Sequence, residues 1–144
     1  MPNILELKYK IPYQISESIL SKVKAIYIPD KMFPLGTIRT TYFDDSKKSI
    51  YHDTNNGENY RIKFRFREYV EIPGDKGAKY SIEVKIRENK TVKKEKRLIY
   101  RSLPLRYRIR SFQHLINDLE MYDDIDLSTI RKHLYGSILY PDID

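Results

Sequence analysis

Four cations, Arg61, Lys63, Arg65 and Arg67, occupy every second position of one short segment, with Tyr60, Ile62, Phe64 and Phe66 between them. On an extended strand alternate side chains share a face, and positions i and i+2 stand roughly 6.7 Å apart. Neighbouring cations at that spacing repel by about 0.6 kcal/mol in water and by about 2.5 kcal/mol at an effective dielectric near 20. Such a row is tolerable on a solvated outer face. In an enclosed one it is costly unless an anion compensates it, and on this segment alone both readings stay open. The pattern recurs at 80–87, where Ser81, Glu83, Lys85 and Arg87 alternate with Tyr80, Ile82, Val84 and Ile86, and a further basic cluster follows at Lys93-Lys94-Glu95-Lys96-Arg97. Two segments set a Glu two residues ahead of a Lys: Glu6-Leu7-Lys8 and Glu83-Val84-Lys85. Carboxylate oxygens suit a hard divalent cation, while Lys and Arg suit phosphate oxygens. The pairing therefore fits a metal–phosphate site, although it is also the commonest way to balance charge across a strand.

The charge is localised. The net formal charge is +7, but residues 60–101 hold 14 Lys/Arg against 6 Asp/Glu, and the remaining residues sum to −1. A basic excess confined to one segment points to a polyanionic partner: nucleic acid, an anionic lipid surface or a phosphate chain. Single-strand binders place aromatic rings on the same face as the cations so that bases stack. Here Phe64 and Phe66 point away from Arg65 and Arg67, so the pattern favours a ligand that is charge without rings, and no nucleic-acid partner is expected. His52, His114 and His133 have no ligand spacing, there is no Cys, and no Gly-rich phosphate loop, nucleophile elbow or zinc signature occurs.

These side chains need strands to hold them. The alternation of Leu5, Leu7, Tyr9 and Ile11 against Glu6, Lys8 and Lys10 predicts a half-buried strand over 4–11. Ser16 reads as an N-cap for a helix at about 16–26 carrying Ile19, Leu20, Val23 and Ile26. Pro29-Asp30 and Pro34-Leu35-Gly36 mark a loop, and a second strand fits 37–43. Asn55-Asn56-Gly57 reads as a turn, strands follow at 60–69, 80–87 and 91–100, and turns fall at Pro73-Gly74-Asp75 and Glu88-Asn89-Lys90. Ser111 reads as the cap of a helix with Phe112, Leu115, Ile116 and Leu119. Asp126 reads as the cap of another with Leu127, Ile130 and Leu134, ended by Gly136. The expectation is a single α+β domain of 144 residues, long enough to bury roughly 68–70% of its unfolded surface. With no long apolar run, it is expected to be soluble and cytoplasmic, without a membrane span.

With those residues in view, the chain resembles the VTC domain, the polyphosphate polymerase domain of the vacuolar transporter chaperone, within the triphosphate tunnel metalloenzyme superfamily. Four blocks carry the resemblance over about 4–100: Glu6-Leu7-Lys8-Tyr9 with Ile11; Ile38-Arg39-Thr40-Thr41-Tyr42-Phe43-Asp44-Asp45; Lys63-Phe64-Arg65-Phe66-Arg67-Glu68-Tyr69; and Ile82-Glu83-Val84-Lys85 with Val92-Lys93-Lys94-Glu95-Lys96-Arg97. The resemblance implies an antiparallel β-barrel, or tunnel, with flanking helices and a bore lined by Lys, Arg and Glu. It implies that ATP enters with Mn²⁺ or Mg²⁺ and that the γ-phosphate passes to a growing polyphosphate chain. Carried over residue by residue, Lys8, Arg65, Arg67, Lys85 and Lys94, with Lys96 next, would bind phosphate oxygens, and Glu6 would face the metal. Tyr42, Phe43 and Asp44 would build the wall.

No catalytic nucleophile is assigned, since phosphoryl transfer needs charge neutralisation and in-line positioning rather than a covalent enzyme intermediate. The family's second set of barrel strands has no counterpart here, with Leu139-Tyr140-Pro141 at most its beginning. The expectation is therefore a partial tunnel at 1–144 lacking the C-terminal barrel strands: a truncated or split product, a shortened relative, or a barrel completed by a second copy or a partner chain. It would act as a polyphosphate:ATP phosphotransferase once completed. The rivals are a non-catalytic polyphosphate-binding module, a nucleic-acid-binding protein, and a hydrolytic triphosphatase- or cyclase-like relative. The last typically carries a doubled acidic motif where this chain has the single Glu6.

Overall fold

The computed structural model describes residues 7–29, 37–70, 79–101, 103 and 109–142. The chain divides into two units, Met1–Leu35 and Gly36–Asp144.

Among the described residues the first unit holds one helix, α1 (Tyr13–Ile26). It starts three residues before the expected cap. Pro12 takes the N-cap position, and Ser16 sits inside the first turn, its hydroxyl donating to the Tyr13 carbonyl at 2.7 Å. Proline pre-sets the backbone at a helix start and has no N–H to leave unsatisfied there. The strand expected over 4–11 does not form at 7–11, which is irregular, and residues 4–6 lie outside the described residues. Leu7, Tyr9 and Ile11 alternate as a strand would but are exposed. Alternation alone does not make a strand without a partner to pair with.

The second unit opens with β1 (Thr37–Asp44), α2 (Ser49–Asn55), β2 (Tyr60–Val70), β3 (Lys79–Glu88) and β4 (Thr91–Tyr100). It closes with α3 (Phe112–Glu120), the short α4 (Ser128–Arg131), a 3₁₀ turn at Lys132–Leu134 and β5 (Tyr140–Pro141). All pairings are antiparallel, in the order β4-β3-β2-β1-β5. The sheet is open: β4 and β5 form its two edges and are not paired with each other among the described residues. The turns expected at 30–36 and 73–75 lie outside the described residues.

One face of the sheet is apolar and carries the core. Phe43, Phe64, Phe66, Ile82, Val84 and Ile99 pack with Phe112, Leu115, Ile116 and Leu119, the buried stripe of α3, and with Leu127, Ile130, Leu134 and Leu139. Phe112 meets Phe43 and Phe64 edge-on, at 4.9 Å and 5.2 Å between ring centroids. This places the helices against the aromatic row of β2 and leaves the opposite face of the same strand to its cations. Ser111 caps α3 as expected, its hydroxyl accepting from the His114 N–H at 3.1 Å. Asp126 accepts from the Ser128 N–H at 2.9 Å, but the helix it introduces is a single turn that tightens into the 3₁₀ segment. Gly136, at φ 75°, follows Tyr135, at φ 48°, in a left-handed exit.

The element absent from the sequence reading is α2. Asp44 and Asp45 build it. Asp44 Oδ1 accepts from the Asp45 and Ile50 N–H groups at 2.8 and 3.0 Å, and Oδ2 accepts from Tyr51 N–H at 2.8 Å. Asp45 Oδ1 takes Lys47 and Ser49 N–H. The Ser49 bonds, ahead of all other causes, hold the Asp45 carboxyl below its ordinary range.

Candidate functional site

The opposite face of the sheet is where the alternate cations gather. Register sets the rows. Tyr42 on β1 lies opposite Arg65 on β2, which lies opposite Glu83 on β3, which lies opposite Lys96 on β4. In the next row Lys63, Lys85 and Lys94 are successive cross-strand neighbours. On the other side Thr40, Arg67 and Ser81 align, and beyond the lysine row Arg61 opposes Arg87. Five of the residues expected to bind phosphate (Arg65, Arg67, Lys85, Lys94 and Lys96) therefore share one face across three adjacent strands, which run roughly 4.8 Å apart. Period 2 also sorts the ambiguous 93–97 cluster. Lys94 and Lys96 join the cationic face, while Lys93, Glu95 and Arg97 stand opposite Ile86, Val84 and Ile82 on the helix side. There Glu95 meets Lys132 and His133, and Arg97 donates to the Asp124 carbonyl.

The centre of the face is the Arg65–Glu83 pair, 2.8 Å between Nη2 and Oε2, with the carboxylate side chain only 2% exposed and the guanidinium 20%. Burial works against the Arg65 charge, but Glu83, with help from the Tyr42 hydroxyl, keeps its pKa above the ordinary value. Two polar atoms of the pair, Arg65 Nε and Glu83 Oε1, are buried without a hydrogen-bond partner. Unmet buried groups of this kind are rare and call for a physical explanation. Nearby, Arg67 Nε donates to Thr40 Oγ1 at 3.2 Å. Burial pushes the Tyr69 phenol up, yet Arg67 and Ser81, with the field of Lys96, outweigh it and hold the phenol below its ordinary pKa.

Within the three cationic strands Glu83 is the one acidic side chain on this face among the described residues. Asp44, at the end of β1, is committed to α2. Like charges set directly opposite one another, as in the lysine row and the Arg61–Arg87 pair, destabilise a sheet, so the arrangement favours an anion lying across it.

The register of the sheet does not bear on two expected residues. Lys8 belongs to the first unit, in the irregular stretch ahead of α1, and Glu6 lies outside the described residues. No group of three His, Asp or Glu side chains that could hold a metal ion occurs among the described residues. Of the Tyr42-Phe43-Asp44 block, Phe43 is core, Asp44 accepts the first N–H groups of α2, and Tyr42 lies opposite Arg65 on the cationic face. The sequence reading had not singled out Ser81 and Tyr69 as site residues, nor Lys63, Arg61 and Arg87 as phosphate ligands. All five continue the i, i+2 series through Arg65 and Glu83, so the signal was present.

No helix among the described residues is long and apolar enough to cross a membrane. The amino-acid sequence matches the family model described as the VTC domain over residues 3–126. Comparisons with curated proteins and with solved structures give no match.

Proposed function

Because the chain belongs to the VTC domain family, we propose that it is a polyphosphate-polymerase-like domain that binds ATP and polyphosphate on the cationic face and transfers the γ-phosphate to the chain end. The observation that carries this reading is the register that gathers Arg65, Arg67, Lys85, Lys94 and Lys96 around one buried carboxylate. Lys8 is proposed as a sixth phosphate ligand from its place in the Glu6-Leu7-Lys8-Tyr9 block alone.

The chemistry asked of these residues is electrostatic. Guanidinium groups take non-bridging oxygens in forked geometry, and ammonium groups act as point charges. Together they offset the charge that develops on the transferring phosphoryl group and hold donor and acceptor in line. A divalent cation, Mn²⁺ or Mg²⁺, would polarise the phosphoryl oxygens when bound. The described residues fit it in one form: Glu83 Oε1, buried and without a hydrogen-bond partner, as a single protein oxygen beside the phosphate's own oxygens. Small hard cations that keep water and substrate ligands are commonly held in this way. Glu6 is the second proposed ligand. Closing the open sheet into a tunnel would take further strands laid against the edge of β4 that has no partner among the described residues.

Calorimetry with tripolyphosphate tests the binding. Wild type is expected to bind, and Arg65→Ala/Arg67→Ala to lose most of the affinity. Equal affinity in the two proteins would rule the site out. Incubation with ATP and Mn²⁺ followed by a product gel separates a polymerase, which yields polyphosphate, from a non-catalytic polyanion-binding module, which does not.

A further inference from the structure

Helix α1 buries none of its residues. At about 3.6 residues per turn, Ile15, Ile19, Leu20, Val23 and Ile26 fall in one stripe along it. Lys22 and Lys24 stand on the two borders of that stripe, and Gln14, Ser18 and Ser21 take the opposite side. Ile15, Leu20, Val23 and Ile26 are 48%, 51%, 44% and 75% exposed. Tyrosines bracket the helix, Tyr9 and Tyr13 at its start and Tyr27 at its end, and all three are exposed. Over 7–28 the charges are Lys8, Lys10, Lys22 and Lys24 against Glu17. A continuous exposed apolar surface rimmed by polar groups marks an interaction site.

We propose that α1 docks on an anionic lipid bilayer, lying in the plane of its surface with the aliphatic stripe among the acyl chains and the border lysines at the headgroup phosphates. The inference is independent of the phosphate-binding reading of the sheet. Charge complementarity selects the occupant. A bilayer surface offers an apolar interior beneath a negative layer on every side, which answers a stripe with a cation on each border. A second copy of α1 would answer the stripe but set lysine against lysine, with Glu17 the sole acidic side chain between Leu7 and Ile28 to offset them. The exposed tyrosines at both ends suit the headgroup level, where a ring can be apolar at one side and wet at the other. Length fixes the orientation. The 14 residues of α1 span roughly 21 Å, less than the roughly 30 Å hydrocarbon core, so the helix rests on the bilayer and does not cross it.

Co-sedimentation of the whole chain with vesicles tests the proposal. Wild type is expected to sediment with vesicles of phosphatidylglycerol and phosphatidylcholine in equal parts, and weakly or not at all with phosphatidylcholine alone. Leu20→Asp/Ile26→Asp alters two exposed side chains of the stripe and is expected to abolish the association. Lys22→Ala/Lys24→Ala keeps the stripe and is expected to weaken it by about thirtyfold. Arg65→Ala/Arg67→Ala, on the sheet, is expected to keep most of it. Loss of vesicle binding in the sheet variant with none in the two α1 variants overturns the proposal, because the cationic face would then be what holds the lipid. Wild type that ignores anionic vesicles also overturns it. So does a wild-type dimer, seen by light scattering, that Leu20→Asp/Ile26→Asp splits while vesicle binding is unchanged, since the stripe would then be covered by a second copy.

Discussion

Arg65 and Glu83 set the balance of the site. A buried ion pair stripped of one partner leaves an uncompensated charge, a loss of about 3–5 kcal/mol in full burial. Arg65 retains some contact with solvent, so Glu83→Gln is expected to cost less, on the order of 1–3 kcal/mol, read as a lower melting temperature. The same substitution removes the acidic charge amid the cations. Tripolyphosphate should then bind more tightly in metal-free buffer, and the gain in binding expected from added Mn²⁺ in wild type should be lost. Calorimetry with and without the metal checks both halves. A Glu83→Gln protein that binds tripolyphosphate less well without metal would show that the carboxylate positions Arg65 rather than opposing the ligand.

At the scale of elements, the helix-side core and the ties across it decide whether the face is presented at all. Phe112 is fully buried against Phe43 and Phe64, and Phe112→Ala is expected to destabilise the second unit by about 3–5 kcal/mol, measured by denaturant unfolding. The Glu95 tie has a sign that can be worked out. Burial pushes its carboxyl up, but the neighbouring His133 ring, 3.2 Å away, and Lys132 outweigh this and hold it below its ordinary value. A carboxyl depressed in the folded state binds its proton more readily when unfolded. Its contribution to stability is thus present above the ordinary carboxylate pKa and is lost as pH falls through the depressed folded value. Thermal melts from pH 7 to pH 3 should show Glu95→Gln losing less stability on acidification than wild type.

The period-2 strands were legible in sequence because alternation assigns a face as well as an element, so Arg65, Arg67 and Lys85 could be set opposite the apolar side chains of their own strands in advance, whereas Lys94 and Lys96 came from the family resemblance alone. Register could not be read, and it is register that sets Glu83 between Arg65 and Lys96. Helix α2 was hidden because its seven residues, Ser49–Asn55, have no apolar period. Two aspartates ahead of it hold the backbone instead. The 4–11 segment misled for the opposite reason, having the pattern of a strand and no pairing over 7–11.

The whole molecule carries its positive charge unevenly, with the excess in 60–101 and much of it on one face of the sheet. Exposed cations act on a ligand through a field that salt screens within about 8–10 Å at 0.1–0.15 M ionic strength. Polyanion affinity should therefore fall as salt rises, and Lys94→Ala/Lys96→Ala, which removes two exposed members of the face, should flatten that dependence. A titration series from low to high salt with both proteins measures the slopes, and parallel slopes would place the ligand away from β4. Length matters as well. From Arg61 to Arg67 the row spans roughly 20 Å, which favours extended polyanions over compact ones.

Strand β4 bounds the sheet with an outer edge that has no partner among the described residues, and Lys93, Lys94, Lys96 and Arg97 stud both of its sides. Dense like charge on a border strand keeps identical borders from zipping together. Saturation with a polyanion would cancel that repulsion where Lys94 and Lys96 stand, so a bound polyanion would itself license self-association. Light scattering during a polyphosphate titration should rise near stoichiometric loading and fall again in excess, as overcharging by phosphate restores the repulsion with inverted sign.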